Sequence, residues 1–345
     1  MKEIEDLQKT DCRRMWQELK RMAGWTTKEK EIQGVLNENQ EEVWEEDALK
    51  VWENSFRKLG LEDLEDKTFD REFGQDIIRS NESSRARLSE KHTNDDLDSE
   101  ITNHEINKAI DMLRTRKAAG IDEITAEAIK KGGEELRQAM LKLIRKAWDR
   151  EEVPEEWARG IIFPIHKDGD ERETLNYRGI TLLSIVGKVF SQVLNNRLIN
   201  WCENNNILAE EQAGFRPMRG CPDQLFALVE ILRNRDKEGT FCCFIDVKKA
   251  FDRVFRGGLW TRLWKIGVRG KMWRMIRAIY KKVESCVLVS GNKTEWFTIE
   301  TGVRQGCVLS PILYALFING LVDELEQNLE WKLHLESSCM PAIRR

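Results

Sequence analysis

Between Thr240 and Val254 the hydrophobic pattern of this chain changes period at a single carboxylate, and that change limits what the surrounding chain can build. Residues 241–245, Phe-Cys-Cys-Phe-Ile, form a wholly apolar run, which predicts a short strand buried on both faces. Val247, Ala250, Phe251 and Val254 then recur at helical spacing, which predicts one face of a helix. Asp246 stands at the junction. Two readings of it stay open here. It can be the N-cap of the helix, its side chain accepting a backbone N–H two or three residues on. It can equally be a metal ligand at the carboxyl end of a strand.

The remaining chain predicts a helix-rich frame around this stretch. Ile4, Leu7, Met15, Leu19 and Met22 suggest an amphipathic helix that stops at Gly24, and Trp44, Ala48, Val51, Trp52, Phe56 and Leu59 suggest a second, with Gly60 just beyond its end. From residue 63 to residue 100 the composition turns polar and reads as a linker. Charge places a boundary at the same point. Residues 1–100 hold 17 Lys and Arg against 27 Asp and Glu, a balance of −10, whereas residues 101–345 hold 39 against 33, a balance of +6. The second part is therefore the better partner for a polyanion.

Thr102-x-x-Glu105 has the form of a capping box and starts a helix through Ile106, Ala109, Ile110 and Leu113, ended by Gly120. A longer helix turns Leu136, Met140, Leu143, Ile144 and Trp148 inward and ends before Pro154. Residues 161–165 read as a strand entering a charged turn with His166 and Gly169, and residues 187–202 as a helix. A helix is expected over residues 260–282, then a hairpin about Gly291-Asn292. Ser310 caps a last helix with Pro311 in its first position. The longest apolar stretch, residues 308–322, is interrupted by Ser310, Pro311, Asn319 and Gly320 and does not suit a membrane span. The charged start has no signal-peptide core, so the cytoplasm or nucleus is expected. The eight cysteines form no Cys-x-x-Cys pair and are expected to be reduced core residues.

Four blocks then line up in order. They are Ile162-Phe-Pro-Ile-His-Lys-Asp-Gly-Asp with Asn176-Tyr-Arg-Gly-Ile-Thr-Leu-Leu; Gln212-Ala-Gly-Phe-Arg-Pro with Asp223-Gln224; Phe244-Ile-Asp-Val-Lys-Lys-Ala-Phe-Asp-Arg-Val; and Gly302-Val-Arg-Gln-Gly-Cys-Val-Leu-Ser-Pro. With the leading Glu105-Ile-x-x-Ala-Ile and Lys117-Ala-Ala-Gly-Ile-Asp, this set resembles the reverse transcriptase domain of non-LTR (LINE-type) retrotransposons over about residues 100–325. The chain departs from that pattern at Gly179 and Ala119, where the family usually has proline, at Met218 for a usual glycine, and at Pro222 for a usual polar residue.

The resemblance implies an α+β, right-hand polymerase fold with fingers and an incomplete palm, preceded by a helical extension. The expected units are residues 1–62 as the helical N-terminal extension, 63–100 as the linker, 101–325 as fingers and partial palm, and 326–345 as a divergent tail. It implies RNA-directed DNA polymerisation, with an RNA template, a DNA primer and deoxynucleoside triphosphates as partners. By the same resemblance Asp246 is a catalytic carboxylate and, with the Val247 carbonyl, a ligand of Mg²⁺ in a two-metal site. Lys167 and Arg178 would hold the triphosphate, Phe251 would press against the sugar, and Gln305 and Gly306 would lie beneath the templating base. Arg216 and Arg219 would follow a nucleic-acid backbone, while Asp252 and Arg253 would be surface residues. The family's paired-aspartate block does not follow Gly306 in these 345 residues. The resulting expectation is an incomplete catalytic set and no activity from this chain by itself. The alternatives are a non-catalytic nucleic-acid-binding remnant and a helical interaction protein.

Overall fold

The computed structural model describes residues 34–61, 72, 74–77, 79, 94–234, 242 and 244–321. The helix expected over residues 4–22, most of the linker, Phe241, Cys243 and the tail 326–345 lie outside the described residues.

A small mixed sheet forms one half of the architecture. Strand β3 (Arg159–His166) pairs antiparallel with β4 (Tyr177–Leu183) from Gly160↔Leu183 to His166↔Tyr177. On its other edge β3 runs parallel to β5 (Glu284–Val289) from Arg159↔Glu284 to Ile162↔Val287. Pro164 lies past that last pair, so its missing N–H takes nothing from the β3–β5 ladder. Strand β5 turns through Ser290 and Gly291 into β6 (Asn292–Lys293) and also pairs with β7 (Phe297–Thr298). A separate two-stranded pair, β1 (Val35–Leu36) and β2 (Glu42–Val43), precedes the helix α1 (Glu45–Gly60). Helix α1 buries Ala48, Trp52, Phe56 and Gly60, a strict fourfold spacing that lays one stripe on the sheet. That stripe meets Val35, Ile162, Val287 and Phe297 in a core of its own.

The helical half surrounds α7 (Ile185–Asn204), whose Val186, Val189, Phe190, Val193, Leu194, Leu198 and Cys202 are all buried. Ser191, Asn195 and Arg197 of the same helix are buried as well, so neighbours enclose it on more than its apolar face. Ser184 caps it, accepting from Gly187 N at 3.2 Å. The expected capping box starts α3 (Asn103–Asp111): Glu105 N donates to Thr102 Oγ1 at 3.2 Å and Thr102 N donates to Glu105 Oε2 at 2.9 Å. That helix stops at Met112, not at Gly120, which instead packs on the backbone of Leu183 and Ser184.

Several expectations need correction. The linker reading fails near its end, where α2 (Asp95–Asp98) forms with Asn94 as cap and Leu97 fully buried. Asp98 Oδ1 accepts from Met272 N at 2.7 Å, so the segment is tied to the core. The long helix expected before Pro154 forms as α5 (Gly133–Arg150), preceded by a short α4 (Ala126–Lys131). A short α6 (Glu155–Ala158) then leads into β3. Leu136 and Leu143 of α5 face outward, while Leu141 and Ala147 join the core. Helix α8 (Cys221–Asn234) follows α7 and has no buried residue. The helix expected over residues 260–282 divides into α9 (Arg256–Lys265) and α10 (Gly270–Ile279), because Gly267 adopts a φ of +102° between them. In α11 (Ser310–Ile318) Leu309 is the cap residue, and the Ser310 hydroxyl donates to the Arg304 carbonyl at 2.8 Å.

The strand expected over residues 241–245 is absent among its described residues. Cys242, Phe244 and Ile245 are irregular, and both large side chains are 81% exposed. Residues 248–253 form turns in place of the expected helix. A strand buried on both faces needs neighbours on its edges, and no described strand runs beside this one. Val254 is nonetheless fully buried, and Val303 N donates to the Phe251 carbonyl at 2.7 Å.

Candidate active site

Three segments meet around a cleft of about 740 Å³. The β3–β4 hairpin supplies Lys167 and Arg178 at its charged end, where Lys167 N donates to the Asn176 carbonyl at 3.0 Å. The turns after Asp246 supply Val247, Lys248, Lys249, Phe251 and Asp252. The loop before α11 supplies Val303, Arg304 and Gln305. Asp246, Val247, Lys167, Arg178, Phe251 and Gln305 therefore line one cavity, although they lie far apart in the chain. Gly306, which follows Gln305 but does not itself line the cleft, has a φ of +104°. A Cβ there would be 2.5 Å from the Thr181 carbonyl oxygen, so only glycine lets this loop close on β4. The Gln305 carbonyl accepts from Thr181 N at 3.1 Å and fixes the same approach.

Six Lys and Arg side chains line the cleft against three Asp, so its balance favours an anion. Arg256 donates to the carbonyls of Ile299, Thr301 and Gly302, and Arg304 to those of Trp157 and Arg159, which makes both of them braces for the walls. Burial, helped by neighbouring Arg253, draws the Lys249 ammonium below the usual lysine range. The Phe251 ring is half-buried, with its centroid 5.2 Å from that of Tyr314 and 6.1 Å from that of Phe215. It presents a stiff aromatic wall.

Asp252, expected at the surface, is half-buried in the lining of the cleft. Gln305 Nε2 donates to both of its carboxylate oxygens, at 2.9 and 2.8 Å. Burial pushes the Asp252 carboxyl up, against the opposing pull of Gln305, Lys249 and Arg178. The clamp fixes which way the Gln305 amide points, and it leaves Gln305 Oε1 buried without a partner. The only signal in the sequence was a carboxylate directly beside Phe251, which spacing alone cannot separate from a solvated charge.

Arg216 and Arg219 take a different task from the one expected. Neither lines the cleft. The Arg216 side chain is 6% exposed and forks onto Glu203 at 2.8 and 3.0 Å, with a further bond to the Ala209 carbonyl at 2.9 Å. Arg219 pairs with Glu210. A buried guanidinium is stable only when so paired. The two residues staple the loop after α7.

The donor set bears on metal binding. Asp246 is exposed at the cleft, and a lone carboxylate suits a magnesium ion that takes its remaining ligands from phosphates and water. A pair of ions about 3.5–4 Å apart needs a second carboxylate set. Among the described residues no three His, Cys, Asp or Glu side chains gather for that purpose. The described residues therefore do not fit a metal pair by themselves.

Comparison with known proteins agrees with this geometry. A model of the family "Reverse transcriptase (RNA-dependent DNA polymerase)" matches residues 165–338. The RNA-directed DNA polymerase from mobile element jockey of Drosophila melanogaster is 28% identical over 226 residues, 65% of this chain and 25% of that protein. The probable RNA-directed DNA polymerase from transposon BS of the same fly is 31% identical over 218 residues, 62% of this chain and 24% of that protein. The Pol polyprotein from type-1 retrotransposable element R2 of Popillia japonica is 28% identical over 216 residues, 62% of this chain and 29% of that protein. The chain thus spans about a quarter of the length of these relatives. With half of its residues under the family model and most of the cleft's lining within that half, the chain belongs to the reverse transcriptase family, as a relative of the polymerases of non-LTR retrotransposons.

Proposed function

We propose that this chain forms the nucleotide-binding part of an RNA-directed DNA polymerase, with the β3–β4 hairpin as fingers and the segments of residues 246–256 and 301–318 as part of a palm. The observation that carries this reading is the meeting of Lys167, Arg178, Asp246, Phe251 and Gln305 in one cleft. Its partners are an RNA template, a DNA primer and deoxynucleoside triphosphates. Lys167 and Arg178 hold the triphosphate, the planar fork of Arg178 suiting two phosphate oxygens at once. Phe251 closes the sugar side. Gln305, held by Asp252, and the Gly306 backbone lie under the templating base. Asp246 and the Val247 carbonyl would hold a divalent ion shared with the phosphates. That ion would supply charge neutralisation when bound, and this chain's own residues bind and orient the nucleotide. No described helix is long and apolar enough to cross a membrane.

The test is equilibrium binding of a deoxynucleoside triphosphate to the chain loaded with primer–template. Lys167→Ala and Arg178→Ala should each weaken it by about ten- to a hundredfold, the worth of a charge-assisted hydrogen bond. Affinity untouched by both changes would contradict the assignment. Phe251→Val removes the ring that excludes a 2′-hydroxyl by size. It should narrow the preference for deoxyribo- over ribonucleotides by at least an order of magnitude, read as the ratio of the two dissociation constants. A second reading, a nucleic-acid-binding module without catalysis, draws on the single carboxylate set among the described residues. It predicts duplex binding that falls with salt but no triphosphate site.

A further inference from the structure

Helix α1 lies outside the residues that the family model matches, yet it reaches the cleft. Phe56, Leu59 and Gly60 all line it. At its outer end α1 grips the hairpin that bears Arg178. The Trp52 ring stands edge-on to Tyr177 at a centroid distance of 4.8 Å, and Ser55 Oγ and Thr174 Oγ1 share a hydrogen bond of 2.6 Å. At its inner end the Gly60 carbonyl accepts from Glu300 N at 2.6 Å and Thr301 N at 3.1 Å, on the strand of chain that leads to Gln305. The helix therefore bridges the two segments between which a triphosphate would lie.

A close fit between α1 and the hairpin lies at Gly179 on β4. A Cβ at residue 179 would stand 2.6 Å from Phe56 Cε1 and 2.8 Å from Ile162 Cγ2. No residue bearing a Cβ fits while the Phe56 ring stays in place. Phe56 is 6% exposed and belongs to the core shared by α1 and the sheet, so its ring has little room to retreat. The missing side chain on β4 and the ring on α1 are complementary halves of one contact, immediately beside Arg178.

We infer that α1 is a positioning wall of the nucleotide cleft: the seating of Phe56 on Gly179 sets where the β3–β4 hairpin holds Arg178 and Lys167 relative to the Gln305 loop. This rests on the nucleotide-binding function proposed above. Phe56 and Trp52 act through the hairpin and are positioning residues.

The test is a double-mutant cycle on the full chain, bound to primer–template and titrated with a deoxynucleoside triphosphate. Hydrogen exchange of residues 177–183 and the melting temperature are followed in parallel. Phe56→Ala should weaken triphosphate binding about tenfold and speed exchange in β4, while Phe56→Leu, which refills much of the space, should recover most of both. Gly179→Ala perturbs the same contact from the opposite side and should also weaken binding. Adding Phe56→Ala to it should weaken binding by less than the two single effects combined, because the clash with the ring goes while the one with Ile162 Cγ2 stays. If the wild-type chain binds no triphosphate, the proposed function falls and this role with it. If the wild type binds and Phe56→Ala lowers only the melting temperature, with affinity unchanged, α1 is merely structural and the positioning role is overturned.

Discussion

Replacing Asp246 by alanine should lower primer extension by about three to four orders of magnitude, measured with the chain in a polypeptide that also supplies a family-type paired-aspartate segment. The reasoning follows from charge. A divalent ion, when bound at Asp246, would offset phosphate charge by several kcal/mol, and each ~1.4 kcal/mol is tenfold in rate. Asp246 is exposed at the cleft, with the Val247 backbone beside it, so its removal leaves packing undisturbed. The melting temperature should therefore stay within a degree or two while activity is lost. The 345 residues assayed without that segment should give no extension with magnesium or manganese, because among the described residues no three His, Cys, Asp or Glu side chains gather to clamp an ion pair. Extension that survives Asp246→Ala would place the chemistry elsewhere.

The second large effect concerns stability. Arg197 on α7 is buried and donates to the carbonyls of Leu97, Ser99 and Glu100 at 3.1, 2.7 and 2.9 Å. It also forks onto Glu105 at 2.5 and 2.9 Å and lies over the Trp148 ring at 5.5 Å. One guanidinium thus closes the segment before α3 onto the helical core. Arg197→Met should cost about 3–5 kcal/mol, the range for breaking a buried pair from one side, read by urea unfolding at neutral pH. Arg197→Lys should recover little, since an ammonium has no fork. Burial pushes the Glu105 carboxyl up, but Arg197 and the Thr102 bonds outweigh it, and the group sits below its ordinary range. A carboxylate so depressed adds stability above its unfolded pKa and loses it as the pH falls through the folded one. The gap between wild type and Arg197→Met should therefore narrow below about pH 4. A gap that is constant with pH would show that Glu105 contributes nothing to it.

Where local chemistry decides structure, the sequence was a sufficient guide. The Thr102–Glu105 box, the fourfold stripe of α1 and the apolar body of α7 each specify an element from neighbouring residues. The division at Gly267 follows a left-handed backbone position that helical periodicity does not show. Leu97 was illegible for another reason. It is a lone apolar residue among acids, and what folds its segment is Arg197, which lies about a hundred residues away. The strand expected over residues 241–245 failed in the opposite sense: Cys242, Phe244 and Ile245 are apolar but irregular, since strand formation depends on neighbours. The cleft residues were legible only through ordered motifs. Asp252, Phe56 and the Arg216 and Arg219 staples needed coordinates, because each is defined by a distant partner.

The central claim is that the cleft between the β3–β4 hairpin and the Gln305 loop is where the nucleotide binds. Photo-crosslinking a base-labelled deoxynucleoside triphosphate to the primer–template-bound chain, followed by peptide mapping, tests it most directly. The account predicts adducts in residues 246–256 and 301–306 and in the hairpin around Arg178, all suppressed by unlabelled triphosphate and by Arg178→Ala. Adducts confined to α8 or to the Arg216–Arg219 loop, and indifferent to Arg178→Ala, would contradict it.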